Sequence, residues 1–299
     1  PATGALQMPV STATLPNAMV PLCVDLDGTL IRSDMLFETL VRLLKQKPLA
    51  FLLVPFWLLR GRAYLKAQLA RRVRVDPATL PYNEALVDYL RSEKACGRQV
   101  YLVTASDLAP AQDVADYLRG LFAEVLASDG RTNLRGRNKG ARLAERFGER
   151  AFDYAGNSSV DLAVWQRSRE AIVVNGSKGL QQRAGQCARV GGVFPPRAPA
   201  WKSFVRALRP HQWFKNLIVF VPLLTSHSLT HWPLALDSLT AFLAFCLCAS
   251  GVYLMNDLFD LDSDRHHASK RHRPFASGDL PLSTGLAAFP LLLAGGAGI

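Results

Sequence analysis

From about residue 21 to 193 the chain alternates short apolar runs with amphipathic stretches; beyond 201 the apolar runs lengthen and charge gathers between them. Residues 21–24, 99–103, 124–127, 152–155 and 171–174 are each bounded by polar or turn-forming residues and have the length of buried strands. Between them lie stretches of helical period, including 108–118, 160–167 and one opened by Lys139. Strand and helix repeated in this way predict an α/β doubly wound parallel sheet.

Residues 31–98 interrupt the alternation, being helical in pattern and too long for a plain connection. Inside them, residues 49–59 are eleven apolar residues flanked by Lys45, Lys47, Arg60 and Arg62. That is too short to span a bilayer. The run reads either as a buried helix or, given Pro55, Trp57 and the basic flanks, as an interfacial one.

A proline-rich joint, Pro195-Pro196-Arg197-Ala198-Pro199, separates two compositions and places a domain boundary at 194–200. The basic, aromatic segment 201–216 suits a membrane surface. A first span begins at 217–224, weakened by Pro222, Thr225, Ser226 and His227; residues 239–255 carry no charge and give about 26 Å of helix. A third apolar run starts near Leu282 and reads as a span cut short at Ile299. An all-α transmembrane domain, 201–299, is therefore expected after the sheet domain, 21–193, with residues 1–20 as a disordered leader lacking the pattern of a secretory signal.

Composition agrees: 49% of residues are hydrophobic, and mean hydropathy is +0.09. The net charge of +11 raises the question of nucleic acid, but the basic residues sit beside apolar segments, as cytosolic loops of membrane proteins require, so no nucleic-acid partner is expected. The five cysteines form no C-x-x-C pair and read as reduced thiols.

The chemistry of the second half gathers in residues 256–274, N-D-L-F-D-L-D-S-D-R-H-H-A-S-K-R-H-R-P. Projected as one helix, Asn256, Asp257, Asp260 and Asp264 share an arc of about 100°, with Asp262 turned away. Carboxylates roughly 5–6 Å apart repel by about 3 kcal/mol at an effective dielectric near 20, so the face calls for a cation. Oxygen ligands favour Mg²⁺ completed by substrate phosphates, with Arg265, Lys270, Arg271 and Arg273 near enough to neutralise a diphosphate. The histidines of this stretch lack zinc spacing.

The pattern N-D-x-x-D-x-x-x-D followed by Arg273-Pro274 resembles the first aspartate-rich motif of the UbiA superfamily of intramembrane prenyltransferases. D-R-x-H-x-x-K-R-x-R-P resembles its polyprenyl-phosphate phosphoribosyltransferase branch, as does Leu208-Arg209-Pro210-His211-Gln212-Trp213-Phe214-Lys215-Asn216. The resemblance implies Mg²⁺ on Asp257, Asp260 and Asp264. It also implies substrate contacts from Asn256, Arg265, Lys270, Arg271, Arg273 and Lys215, a soluble phosphorylated donor, and a polyprenyl phosphate or diphosphate in the membrane. Aromatic prenyl transfer is the alternative chemistry for the same acidic face. The superfamily's second aspartate-rich motif does not occur among these residues.

In the first half, the strand at 21–24 delivers Asp25-Leu26-Asp27-Gly28-Thr29, the run at 99–103 ends in Thr104-Ala105-Ser106, Lys139 opens a helix, and 152–155 leads to Gly156-Asn157-Ser158-Ser159-Val160-Asp161. This ordered set resembles the four motifs of the haloacid dehalogenase superfamily, with residues 31–98 as a helical cap. It implies a phosphatase in which Asp25 is the nucleophile, Asp27 the acid and base, Thr104 and Lys139 the phosphoryl contacts, and Asp25, Asp27, Asn157 and Asp161 the Mg²⁺ site. Asn157 stands where the pattern commonly has Asp, which removes a charge from the metal site and leaves a weakened or regulatory domain as the alternative. If the basic segment before the first span is cytosolic, the acidic face and the phosphatase share the cytosolic side of the cytoplasmic membrane.

Overall fold

The computed structural model describes residues 19–128, 133–228 and 230–299. The leader, apart from its last two residues, and part of the polar loop before Lys139 lie outside the described residues.

Strand β1 (Leu22–Val24) is followed by five helices, α1 (Met35–Gln46), α2 (Pro48–Phe51), α3 (Val54–Leu59), α4 (Arg62–Ala70) and α5 (Glu84–Ala95), the last of which packs on the sheet. Then come β2 (Val100–Asp107), α6 (Leu108–Tyr117), β3 (Glu124–Ser128), α7 (Arg137–Phe147), β4 (Asp153–Gly156), α8 (Leu162–Trp165), β5 (Glu170–Val174), α9 (Lys178–Cys187) and β6 (Arg189–Phe194). The six strands pair in parallel in the order β3-β2-β1-β4-β5-β6. The period of two divides their side chains. Leu22, Val24, Leu102, Ile172 and Val174 enter one core with α5 and α6, whereas Cys23, Val103, Tyr154, Ala171 and Val173 enter the other with α7, α8 and α9. β1 lies at the switch between chain directions, so its carboxyl end opens the crevice where such sheets place ligands.

The second half begins with α10 (Ala200–Leu208), stopped at Arg209 in the left-handed region, φ 53°. The expected first span is instead a 3₁₀ stretch over Pro210–Phe220 and the short α11 (Val221–Thr225), because Pro210 and Pro222 each open a new turn. α12 (Trp232–Phe259) is 28 residues, about 42 Å, and extends past the expected span at both ends. It is the one helix among the described residues long and apolar enough to cross a membrane. α13 (Leu261–His266) and α14 (Leu282–Gly298), which packs along α12, complete the order.

The two halves meet through α1. Its Val41 is buried in one apolar cluster with Ala207, Leu254, Leu258, Leu261 and Phe275. Beside this cluster Glu38 is 0% exposed and bridges Arg265 of α13 (2.7 and 3.1 Å) and Arg42 (2.6 Å), and Arg42 also binds Asp262. Further along, the Lys45 ammonium donates to the carbonyl of Phe259, the last residue of α12. Burial pushes the Glu38 carboxyl up, but the two guanidiniums overcome it and hold the acid down at about 2. Gly278, φ +74°, closes the contact, since a Cβ there would lie 2.5 Å from Cβ of Arg32.

Candidate active sites

The first centre lies at the carboxyl end of β1. Asp25 leaves the strand there, and Lys139, near the start of α7, reaches it at 2.7 Å while also donating to the Val103 carbonyl and the Tyr154 hydroxyl (2.9 Å). Burial raises the Asp25 carboxyl to about 7; Lys139 opposes that rise, and Asp161 and Asp27 add to it. Two donors fix Asp27: the Met35 amide at the start of α1 (2.8 Å) and the Ser106 hydroxyl (2.7 Å). Thr104 is fully buried, its Oγ1 accepting from the Ser106 amide at 2.9 Å. Asp161 closes the Gly156–Asp161 turn, accepting from the Asn157 and Ser158 amides and the Ser158 hydroxyl, and from the Tyr154 hydroxyl at 3.1 Å. Gly28 holds φ +73° against Asn157, whose Nδ2 would be 2.0 Å from a Cβ.

A cavity of about 610 Å³ joins these residues to α1, α3 and α4, through Asp34, Leu36, Phe37, Leu40, Val54, Leu58, Arg62 and Lys66. Asp34 caps α1 through the Leu36 amide, and burial followed by the charge of Asp27 raises its carboxyl to about 6. The arrangement offers a carboxylate, a held acid, a buried cation and a roofed space, the parts needed to move a phosphoryl group. Asp25, Asp27, Asn157 and Asp161 all line the cavity, and the negative charges of Asp161 and Asp27 bear on Asp25, which suits a cation, although no three carboxylates converge on one point among the described residues.

The second centre lies where α12 ends. Asp257 and Asp264, 2% and 1% exposed, are joined by one Arg273 nitrogen at 3.1 and 2.8 Å. Arg209 donates to Asp257 at 2.5 Å and stacks on Tyr253, with 5.1 Å between guanidinium and ring centre. The left-handed turn that stops α10 aims it there, and the turn is anchored by Ser250, which donates to the Leu208 carbonyl and accepts from Trp213. Among the described residues, Asp257 Oδ2 and Asp264 Oδ1 are buried without a hydrogen-bond partner. Two such oxygens facing no donor fit a cation.

The acidic face is narrower than its projection. The helix breaks at Asp260, φ −94° and ψ 8°, leaving Asp260 and Asn256 exposed. No group of three metal-binding side chains converges among the described residues. Lys270, Arg271 and Lys215 are exposed, whereas Arg265 turns to Glu38 and the Ala276 carbonyl. Sequence reasoning quoted Arg209 and Ser106 inside motifs without giving either a role, and missed Tyr154. The left-handed Arg209 had one signal, a bulky residue pinned between a helix and a proline.

The sequence profile of the UbiA prenyltransferase family matches residues 217–299. This stretch is a UbiA-family domain. An uncharacterized protein, y4nM of Sinorhizobium fredii, is 38% identical over 281 residues, covering 93% of this chain and 54% of its own. A decaprenyl-phosphate phosphoribosyltransferase of Corynebacterium glutamicum is 40% identical over 90 residues, 29% of this chain and 27% of that protein. The chain thus spans about half the length of the first relative and about a quarter of the second. A crystal structure of apo phosphoserine phosphatase aligns with 62% of this chain and 98% of its own, at 13% identity and a TM-score of 0.41. The UbiA domain, with α12 long enough to cross a bilayer, places the chain at a membrane.

Proposed function

We propose that the protein is a two-site membrane enzyme. Its UbiA domain transfers 5-phosphoribose from phosphoribosyl pyrophosphate to a polyprenyl phosphate, and its N-terminal domain removes the phosphate left on the ribose. The observation that carries the first step is the pair of buried, unpartnered oxygens on Asp257 and Asp264, held in place by Arg209 and Arg273. Similarity to a decaprenyl-phosphate phosphoribosyltransferase around this motif supports the choice of donor and acceptor. Asp257 and Asp264 would hold Mg²⁺, with the exposed Asp260 at the mouth; the bound ion supplies positive charge to a departing diphosphate. Exposed Lys270, Arg271 and Lys215 approach the same phosphates, and Asn256 completes the entrance.

In the N-terminal domain Asp25 attacks phosphorus. Asp27, held by Met35 and Ser106, gives its proton to the leaving oxygen and then takes one from water. Lys139 and Thr104 steady the phosphoryl group, and Asp25, Asp27, Asn157 and Asp161 are the residues that would hold Mg²⁺ there. Both sites face the cytosolic side of the inner membrane, where soluble phosphorylated donors are available.

The test uses membranes carrying the full-length gene product, labelled phosphoribosyl pyrophosphate and a polyprenyl phosphate, with Asp25→Asn beside wild type. The expected result is label in the lipid, bearing one more phosphate in the variant. Unlabelled lipid refutes phosphoribosyl transfer and turns the acidic site toward aromatic prenyl transfer. Labelled lipid with equal phosphate in both refutes the second step.

A further inference from the structure

Helices α2 and α3 carry a surface that neither chemistry explains. Every residue of α2 is at least partly exposed, and in α3 only Trp57 is buried. Leu49, Phe56 and Leu59 are 82%, 65% and 85% exposed, with Leu52, Leu53 and Leu58 beside them. A contiguous apolar patch of this kind marks a partner. Charge says which one. Between residues 39 and 75 the chain has nine Lys and Arg and no Asp or Glu. An apolar ridge inside a purely cationic segment is complementary to an anionic lipid surface.

Position agrees with charge. Lys45, three residues before α2, is bonded to the carbonyl that ends the spanning helix α12. The ridge therefore begins at the level where the membrane helix emerges. α3 also has an inner side, because Val54 and Leu58, one turn apart, line the 610 Å³ cavity together with Leu36, Phe37 and Leu40. Leu58 is both cavity wall and exposed surface. The cavity mouth borders the lipid-facing ridge.

We infer that α2 and α3 seat in the bilayer surface, and that the phosphatase cavity takes a phosphomonoester carried on a long-chain lipid that enters sideways across α3. The phosphate meets Asp25, and the apolar chain leaves over Leu40, Val54 and Leu58 into the membrane. The bond between phosphorus and the lipid oxygen breaks, that oxygen receives the proton of Asp27, and water releases inorganic phosphate from Asp25. Arg62 and Lys66, at the rim, meet the anionic head. This rests on the phosphatase reading above and adds the membrane seat and the route by which its lipid-linked substrate enters.

The experiment uses the full chain in nanodiscs containing anionic lipid. Hydrolysis of dodecyl phosphate in the disc is compared with that of soluble p-nitrophenyl phosphate, for wild type, Leu58→Asn and Asp25→Asn. The lipid phosphate is expected to lead by at least about 100-fold in kcat/KM, and Leu58→Asn to reduce that ratio at least about ten-fold. Equal or better hydrolysis of the soluble ester, or a ratio indifferent to Leu58, overturns the route while leaving the hydrolase standing. No hydrolysis of either ester above Asp25→Asn sinks the hydrolase and the route together. Independently of turnover, bimane on Phe56→Cys in a Cys96→Ser background is expected to be quenched by spin-labelled acyl chains; emission typical of water overturns the membrane seat.

Discussion

Replacing Glu38 with Gln tests whether the two halves are one unit. The wild-type carboxylate is fully buried and bridges two guanidiniums, so the variant leaves Arg42 with Asp262, Arg265 with neutral partners, and one buried positive charge uncompensated. Lowering the acid from its ordinary 4.5 to about 2 corresponds to about 3 kcal/mol, and breaking a buried ion pair by removing one partner costs roughly 3–5 kcal/mol. At roughly 2–4 °C per kcal/mol for domains of a few hundred residues, the thermal midpoint in nanodiscs should fall by roughly 6–20 °C. The stabilisation belongs to an acid whose folded pKa is depressed, so it is complete above about pH 4.5 and lost as pH falls toward 2. The difference between wild type and variant should shrink across that window. Apolar replacement of Glu38, Arg42 and Arg265 together should recover most of the loss. A fall below 2 °C at pH 7, or a difference independent of pH below 4.5, would refute the reasoning.

Gly28→Ala forces a side chain into the left-handed region and against Asn157; phosphomonoester hydrolysis should drop at least ten-fold, read against unchanged far-ultraviolet circular dichroism. Tyr154→Phe removes the hydroxyl shared by Lys139 and Asp161, and a loss of about ten-fold in kcat is expected, from a hydrogen bond to charged groups worth roughly 1.5 kcal/mol. Arg209→Ala leaves Asp257 with Arg273 alone; lipid labelling in the full-length protein should fall at least 100-fold, with Arg209→Lys recovering part of it.

The strands of the sheet were legible because each is an apolar run ended by a turn, and Asp25 and Lys139 meet because β1 ends and α7 begins at one crevice. β6 was not legible, since Arg189-Val190-Gly191-Gly192 has little apolar patterning and the strand owes its place to pairing with β5. In the second half, projecting 256–264 as one regular helix overlooked the departure from helical backbone at Asp260, where Asp257 and Asp264 on either side are buried and Asp260 is exposed. Arg265 illustrates a different limit. Its neighbours in sequence suggested a diphosphate, but its partner is an acid in another domain, and periodicity along one helix carries no information about such a contact. The same holds for Asp262, turned from the acidic face only to meet Arg42.

Glu38 and Arg265 stand 227 residues apart, so on a ribosome the acid emerges long before either half of the contact that neutralises it is complete. A nascent N-terminal domain holds a carboxylate on an unfinished face until α12 and α13 have been made and packed against α1. The contact opened first is thus closed last, and folding of the second half becomes the step that completes the surface of the first.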